Sequence, residues 1–332
     1  MVLRLRRAGI AALGVALGSK VLTNYDLEKM VDTTDEWILT RTGIRERRIA
    51  ADEDATSDLA VRASRRALRN GGLDPSDIDM IICATVTPDM LFPSTASLVQ
   101  RELGARRAVA FDIEAACSGF IFGLSVASQY IATNTCNNVL VIGAECLSRI
   151  TNWSDRSTCI LFGDGAGAAV LRPARSEMGI IKTALGSDGW GADLLKLPAG
   201  GSRLPASRTT VRDGLHYIHM NGNRVFEFAV KAMGEAALAA LDGTGYTPGD
   251  IDLFVPHQAN LRIIESARRR LGIEESRVMV NVERYGNMSS ASVPVALSEA
   301  LEQGRLAEGD MVMLVAFGAG LSWGAALIRW GI

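Results

Sequence analysis

Three residues stand in contexts that can be read for chemistry: Cys117, His257 and Asn287. Cys117 lies in Ala115-Ala-Cys117-Ser-Gly-Phe120, where small residues lead into an apolar run. Beyond it Phe120, Leu124, Ala127 and Ile131 recur at three and four, a spacing that predicts a buried helix. The cysteine would stand at or just inside the start of that helix. Unbonded backbone N–H groups and the positive end of the helix dipole lie there, and both favour thiolate over thiol. A cysteine so activated is a candidate nucleophile that carries an acyl group as a thioester. The plainer alternative is a small core residue, the commoner fate of a free cysteine.

His257 follows the apolar stretch Leu253-Phe-Val-Pro256 and opens Gln258-Ala-Asn260-Leu-Arg262. A histidine at the C-terminal end of a strand, before a helix, is where α/β folds place chemistry. Asn287 sits in Arg284-Tyr-Gly286-Asn287-Met-Ser-Ser-Ala-Ser-Val-Pro294, a tight turn before a helix, and alone carries no chemistry. Phe317-Gly-Ala319-Gly320 reads as a glycine-rich turn after a strand, with N–H groups available to a phosphate or an oxyanion. His216 and His219, three apart, read as structural. No GxxxxGK[ST] occurs and no GxGxxG opens a helix after the first strand, so nucleotide binding of those kinds is not expected.

The elements around these residues are those of an α/β protein. With 48% hydrophobic and 22% charged residues, 332 residues suffice for a large core in two domains or one duplicated domain. The net charge of −2 gives no nucleic-acid signal. Five cysteines without CxxC spacing speak against a zinc site or a disulfide framework, and for a reducing cytoplasm. Arg4, Arg6 and Arg7 before the apolar Ala8 to Gly18 imitate a signal peptide, but the run is rich in Gly and Ala and reads as a buried strand and turn. No stretch reaches the ~18 apolar residues of a membrane span. Asp32, Thr33 or Thr34 would cap a short helix carrying Trp37, and Thr56 or Ser57 an amphipathic helix over 56–70. Residues 78–86 and 139–143 read as buried strands, and Ser94 starts another helix. Residues 186–215, rich in Gly, Ser and Pro, read as a long loop or hairpin beside an entrance.

The pattern then returns. Pro75-Ser-Asp-Ile-Asp matches Pro248-Gly-Asp-Ile-Asp 173 residues later, and Leu140-Val-Ile-Gly-Ala meets Leu314-Val-Ala-Phe-Gly at nearly the same offset. Gly165 to Leu171 has a fainter echo in Trp323 to Ile328. Three matches in one order predict an internal duplication, with βα-rich halves over 1–174 and 175–332. Such halves would pack as a layered α/β/α/β/α sandwich with the site where they meet. At this offset His257 falls on Ala84, near the end of the matching strand.

Taken together, these stretches resemble one family. Cys117-Ser-Gly-Phe, Pro256-His257-Gln-Ala-Asn-Leu-Arg262-Ile-Ile, Gly286-Asn287-Met-Ser-Ser-Ala-Ser-Val-Pro and Phe162-Gly-Asp-Gly-Ala-Gly-Ala-Ala-Val are similar to the motifs of β-ketoacyl-acyl-carrier-protein synthase III, in the same order. So are Asp35-Glu-Trp37-Ile and Arg41-Thr-Gly-Ile. The resemblance runs from about residue 8 to the end. It implies the thiolase fold, a duplicated five-layer α/β/α/β/α sandwich, and a homodimer.

It also implies a Cys117-His257-Asn287 triad. Cys117 would take an acyl group from acyl-CoA, with the backbone N–H groups of Cys117 and Ala319 as oxyanion hole. One such donor is typically worth about 3 kcal/mol in the transition state. His257 and Asn287 would donate to the thioester oxygen of malonyl-acyl-carrier-protein, where charge gathers on decarboxylation. The carbanion would attack the Cys117 thioester and give 3-oxoacyl-acyl-carrier-protein and CO2. Phe317 would flank the malonyl carboxylate and favour its loss as CO2. No cofactor beyond these substrates is implied, and no metal.

The binding residues follow by the same resemblance. Trp37 would stack on the adenine of CoA with Arg156 on the adenine's other face, and Arg41 would pair with a phosphate. Gly222, Asn260 and Arg262 would line the pantetheine channel or its mouth. Gln258, Ala259, Asn260, Leu261 and Arg262 correspond to the carrier-protein contact segment. Phe92 stands where the family limits the acyl pocket across the dimer interface, and its bulk points to a short primer such as acetyl. Arg45, Arg47, Arg48 and Arg268 to Arg270 read either as a solvated face or as a basic patch for an acidic carrier protein. The chain departs from the family pattern at Met288, where Thr is frequent, and at Glu227, where a basic residue is common. Competing readings are a polyketide starter synthase, a Cys-dependent acyltransferase, a hydroxymethylglutaryl-CoA-synthase-like enzyme and a non-catalytic scaffold. The complete Cys-His-Asn set favours decarboxylative condensation.

Overall fold

A computed structural model describes residues 5–175 and 177–332, so Arg4 lies outside the described residues. The strands are β1 (Ala8–Leu17), β2 (Lys20–Thr23), β3 (Glu46–Ile49), β4 (Met80–Ala84), β5 (Val109–Ile113), β6 (Val139–Cys146), β7 (Asp164–Pro173), β8 (Gly179–Ser187), β9 (Leu195–Lys196), β10 (His219–Met220), β11 (Leu253–Pro256), β12 (Met311–Gly318) and β13 (Ser322–Arg329). The helices are α1 (Asn24–Leu27), α2 (Asp35–Thr42), α3 (Thr56–Gly71), α4 (Thr95–Leu103), α5 (Gly119–Ala132), α6 (Arg156–Cys159), α7 (Arg208–Arg212), α8 (Gly222–Leu241), α9 (Leu261–Leu271), α10 (Val282–Tyr285) and α11 (Ser292–Glu302).

Two sheets carry the architecture. The first runs β1-β7-β6-β4-β5, with β4 parallel to both β5 and β6 and with β7 and β1 each antiparallel to its neighbour. The second repeats that plan as β8-β13-β12-β11, with only β11 and β12 parallel. Where the first sheet continues into β5, the second has a single parallel bridge between Phe254 and Val278. Strands of the first sheet come from residues 8–173 and those of the second from residues 179–329.

Alternation along the central strands makes the layers. In β6, Val139 and Val141 face inward while Leu140 and Ile142 face the outer helices, so both faces are apolar. In β12, Val312 and Leu314 face inward while Met311 and Met313 face outward. Helices α3 and α4 cover the outer face of the first sheet through Leu59, Ala63, Ala67 and Val99. Helices α8 and α9 cover the second through Ala229, Met233, Ile263 and Ile264. Between the sheets, α5 and α11 bury Phe120, Leu124, Val293 and Leu297 against Ile82, Val141, Leu314 and Ala326. The result is the five-layer α/β/α/β/α sandwich, a thiolase-like fold.

The expected helix after Cys117 is α5, and Phe120, Leu124, Ala127 and Ile131 are all fully buried on it. The N-terminal apolar run is β1, paired along its length with β7. Thr34 caps α2 and Ser94 caps α4 through their hydroxyl groups. Residues 186–215 are more ordered than expected: a 3-10 segment (Gly189–Leu194), β9 and α7 lie within them, and β9 pairs with β10. Arg47 departs from both readings of its cluster. It is fully buried and donates to the carbonyls of Leu22 and Ile160 and to Asn24 Oδ1, and burial holds its pKa down at about 10. Arg268 and Arg269 are likewise engaged, with Glu265, and Arg270 with Glu235. Among the described residues no helix is long and apolar enough to cross a membrane.

Candidate active site

Two short turns from opposite halves build the site. Residues Ala116–Ser118 form a 3-10 turn that runs into α5, and Ser289–Ala291 form another that runs into α11. Ala116 and Ser289 both adopt left-handed backbone, at φ 46 and φ 47. Such a conformation is strained for residues with a Cβ and persists only where the surroundings hold it. The hold on the first turn is polar: Ser118 Oγ donates to Ala115 O at 2.7 Å and shares a 2.7 Å hydrogen bond with Ser322 Oγ across the halves. Ser322 Oγ also lies 3.0 Å from Ala115 O and 2.9 Å from Ala319 O.

Close approach needs glycine at two places. A Cβ on Gly318 would lie 2.6 Å from Cys117 N, and one on Gly143 would lie 2.2 Å from Ser290 O. Each sheet thus carries a glycine where the other half's turn lands.

Cys117 is partly buried and lines a cavity of about 580 Å³ with Thr85, Phe162, Ser289, Ala319 and Gly320. Burial pushes its thiol up to about 12, with a hydrogen bond from Ser289 opposing. This corrects the expectation that the helix start favours the thiolate. The 3-10 turn sets Cys117 two residues ahead of α5, and loss of water disfavours the charged thiolate there.

His257 follows β11, and its N–H donates to Val315 O at 2.7 Å. Its ring meets Phe317 edge-on, with centroids 5.6 Å apart at 70°. Both ring nitrogens are buried without a hydrogen-bond partner, and burial holds the pKa down at about 3. The imidazole is therefore neutral and keeps one N–H to donate. Asn287 is fixed by its backbone, which bonds Leu161 O at 2.8 Å and Gly163 N at 2.9 Å. Its Oδ1 accepts from Ser289 N at 2.8 Å, which leaves the amide NH2 to donate elsewhere. Met288 turns away into an apolar cluster with Ala291 and Val295, so its departure from the family pattern leaves the site untouched. Contacts run from Cys117 through Gly318 and Phe317 to His257, and through Ser289 to Asn287, so the three residues share one locale.

The remaining predicted residues fall around the approach. Gly222 lines a second cavity of about 760 Å³ with Asp155, Tyr217 and Asn221. Lys196 and Ile218 line both cavities, which therefore adjoin. Trp37 lies on α2 under the guanidinium groups of Arg41, at 4.3 Å, and Arg156, at 4.7 Å. Arg156 thus rests on the indole itself. Asn260 caps α9 and donates to Arg41 O at 2.9 Å. Arg262 is exposed over Phe226, and Leu261 is exposed beside it.

Gln258 and Ala259 are corrections to the contact segment, because both are buried. Gln258 spends its amide on Pro256 O, Met279 O and the N–H groups of Asn281 and Val282. Gln258 thereby holds the segment in place. Phe92 is 84% exposed and does not line this chain's own cavity, whereas Leu91 does. His216 bonds Thr210 Oγ1 at 2.9 Å, a structural contact. Sequence reasoning missed Ser118, Ser322, Glu145 and Ser290. The one signal for them was the serine run after Asn287.

Residues 111–189 match the family model for 3-oxoacyl-[acyl-carrier-protein (ACP)] synthase III, and residues 241–330 match that for its C-terminal part. A beta-ketoacyl-[acyl-carrier-protein] synthase III from Symbiobacterium thermophilum is 59% identical over 329 residues, 99% of this chain and 100% of the relative. A solved synthase III from Thermus thermophilus is 50% identical and superposes with a TM-score of 0.91 over 97% of this chain and 99% of that one. A priming beta-ketosynthase from the R1128 polyketide pathway is 38% identical with a TM-score of 0.91, over 100% of this chain and 98% of that one.

Proposed function

The chain belongs to the beta-ketoacyl-ACP synthase III family, condensing acyltransferases of fatty acid synthesis, and from that premise we propose the part each residue plays. Cys117 is acylated from an acyl-CoA, acetyl-CoA in the first place. Its own N–H and that of Ala319 take the oxyanion. Malonyl on acyl carrier protein follows. The neutral imidazole of His257 and the amide of Asn287 donate to its thioester oxygen as CO2 leaves, and the carbanion attacks the Cys117 thioester, forming the new C–C bond and expelling the Cys117 thiolate, which takes a proton from solvent. Proton balance fits a buried thiol: the proton leaves Cys117 as its sulfur bonds the acyl carbon and is taken up by departing CoA thiolate. The reaction uses no cofactor beyond its thioester substrates.

The observation that carries this reading is the partly buried Cys117 opening on an apolar cavity, with His257 buried and unpartnered against Phe317, whose neighbour Gly318 closely approaches Cys117 N. The two adjoining cavities supply a path from Gly222 to Cys117. Trp37, with Arg41 and Arg156, receives the nucleotide end of CoA once Arg156 swings off the indole. Leu261 and Arg262 meet the carrier protein. The exposed Met90-Leu91-Phe92 loop, where Leu91 and Phe92 are 82% and 84% exposed, is the face for a second copy, and the enzyme works as a cytoplasmic homodimer.

The test is a steady-state assay with malonyl-acyl-carrier-protein and a panel of acyl-CoA primers, following CO2 and 3-oxoacyl product. Turnover with acetyl-CoA, lost in Cys117→Ser, is expected. Acylation of Cys117 without CO2 release would refute decarboxylative condensation. A marked preference for long or unusual primers would favour the starter-synthase role of the polyketide relative.

A further inference from the structure

One buried carboxyl in this site has no place in the mechanism above. Glu145, the residue before the end of β6, is fully buried, and among the described residues no ion pair includes it. Its Oε2 accepts from Thr87 Oγ1 at 2.7 Å, Val86 N at 3.1 Å and Thr85 Oγ1 at 3.2 Å. Its Oε1 lies 2.9 Å from Ser290 Oγ. That hydroxyl also lies 2.8 Å from Ala84 O.

The hydrogens do not divide evenly. Ser290 Oγ has one proton and two neighbours, and Ala84 O is only ever an acceptor. If Ser290 donates to Ala84 O, the contact with Glu145 needs a proton on the carboxyl. The three donors on Oε2 mark Oε1 as the atom that carries it. From this geometry we infer that Glu145 is a neutral carboxylic acid in the working enzyme, donating to Ser290 Oγ and positioning the turn that carries Asn287.

The groups around it agree. The hydroxyls and N–H come from the segment after β4, and Ser289 and Ser290 come from the other half. The titratable side chains that feel Glu145 are thiols: Cys83, Cys117 and Cys146. Among the described residues no cation pairs with it, and burial moves its carboxyl upward against the hydrogen bonds from Thr87, Val86, Ser290 and Ser289. A neutral acid does two things here. It ties the end of β4 to the turn at Ser289–Ala291, so Asn287 keeps its orientation through Ser289. It also leaves no negative charge beside Cys117, so the thiolate forms against hydrogen-bonding dipoles alone.

The inference rests on Cys117 as the nucleophile, and two readouts test it without condensation. The first is infrared difference spectroscopy of the whole enzyme between Glu145→Gln and wild type. A protonated-carboxyl C=O band in the wild type, absent from the variant, is expected. A carboxylate band in its place would overturn the inference. The second is the pH profile of Cys117 alkylation by iodoacetamide, with the modified residue mapped by mass. Gln reproduces the neutral acid, accepting with Oε1 and donating with Nε2 to Ser290. The profile should therefore stay within about 0.3 pH unit. Removing a real negative charge would move it down by about one unit or more, a tenfold faster reaction at fixed pH.

Condensation then reports positioning. Glu145→Ala should lower kcat by roughly tenfold or more, with a smaller change in KM, and Gln should restore it to within about threefold. A Gln variant as poor as Ala would also overturn the inference. If Cys117 fails to be the nucleophile, condensation survives its replacement while the infrared band of Glu145 is unaffected.

Discussion

Residues 114–118 and 287–291 occupy matching places in the two halves, 173 positions apart. Both runs enter a 3-10 turn, both hold a left-handed non-glycine residue, and both lead into a helix of the middle layer. In the first, the turn delivers Cys117 to the cavity. In the second, the matching residue is Ser290, turned inward to Ala84 O and Glu145. Glu114, exposed, corresponds to Asn287, which is buried. The same backbone device therefore opens a thiol to the cavity in one half and turns a hydroxyl into the interior in the other. Duplication supplies the geometry twice, and substitution at one or two positions assigns the roles.

This division of labour can be broken by experiment. The largest effect should come from Cys117→Ser, which should lower condensation by about a thousandfold or more, read as product formed from acetyl-CoA. Next, His257→Ala or Asn287→Ala should each cut CO2 release by about a hundredfold while intact-mass spectra still show Cys117 acylated. Loss of acylation in either variant would mean that the second half also serves the first step.

A third test uses pH. The folded pKa of His257 is about 3, against 6.5 for a free imidazole, so between these values the unfolded chain binds a proton that the folded one refuses. This contribution makes stability fall as pH drops from about 6.5 toward 3, by about 2–3 kcal/mol at pH 4.5. Urea midpoints at pH 7 and 4.5 should show that difference in the wild type and not in His257→Gln. The smallest effect belongs to the seam between halves. Ser118→Ala and Ser322→Ala should each cost about 1 kcal/mol, and the double variant less than their sum, because they share one hydrogen bond.

The sequence was most legible where periodicity and local chemistry agree. The α5 spacing, the strand end before His257 and the Pro-x-Asp-Ile-Asp repeats all depend on neighbours in the chain, whereas Phe317 and Gly318, read as a turn after a strand, are the last residues of β12 itself. The five layers followed from the repeat together with the family resemblance. What could not be read depends on distant partners. Arg47 sits in a basic cluster, yet its guanidinium finds Ile160 O, 113 residues away, and is buried. Gln258 belongs to a motif that reads as a contact surface, yet its amide is consumed by residues 279–282. The thiol of Cys117 was expected to be acidic because the helix start is visible in the sequence, whereas the depth of its burial is not.

The middle layer has a consequence for how the chain is made. Helix α11, from residues 292–302, packs on β1 and β7 of the first sheet, through Val293, Ala296 and Leu297 near Leu13 and Ala169. Those strands are complete by residue 173. During synthesis from the N-terminus, the inner face of the first sheet waits for a helix encoded far downstream, an interval on the order of ten seconds at ordinary elongation rates. Over that interval α5 alone shields the apolar face on the ribosome. A nascent chain stalled before α11 should be a preferred client of holding chaperones.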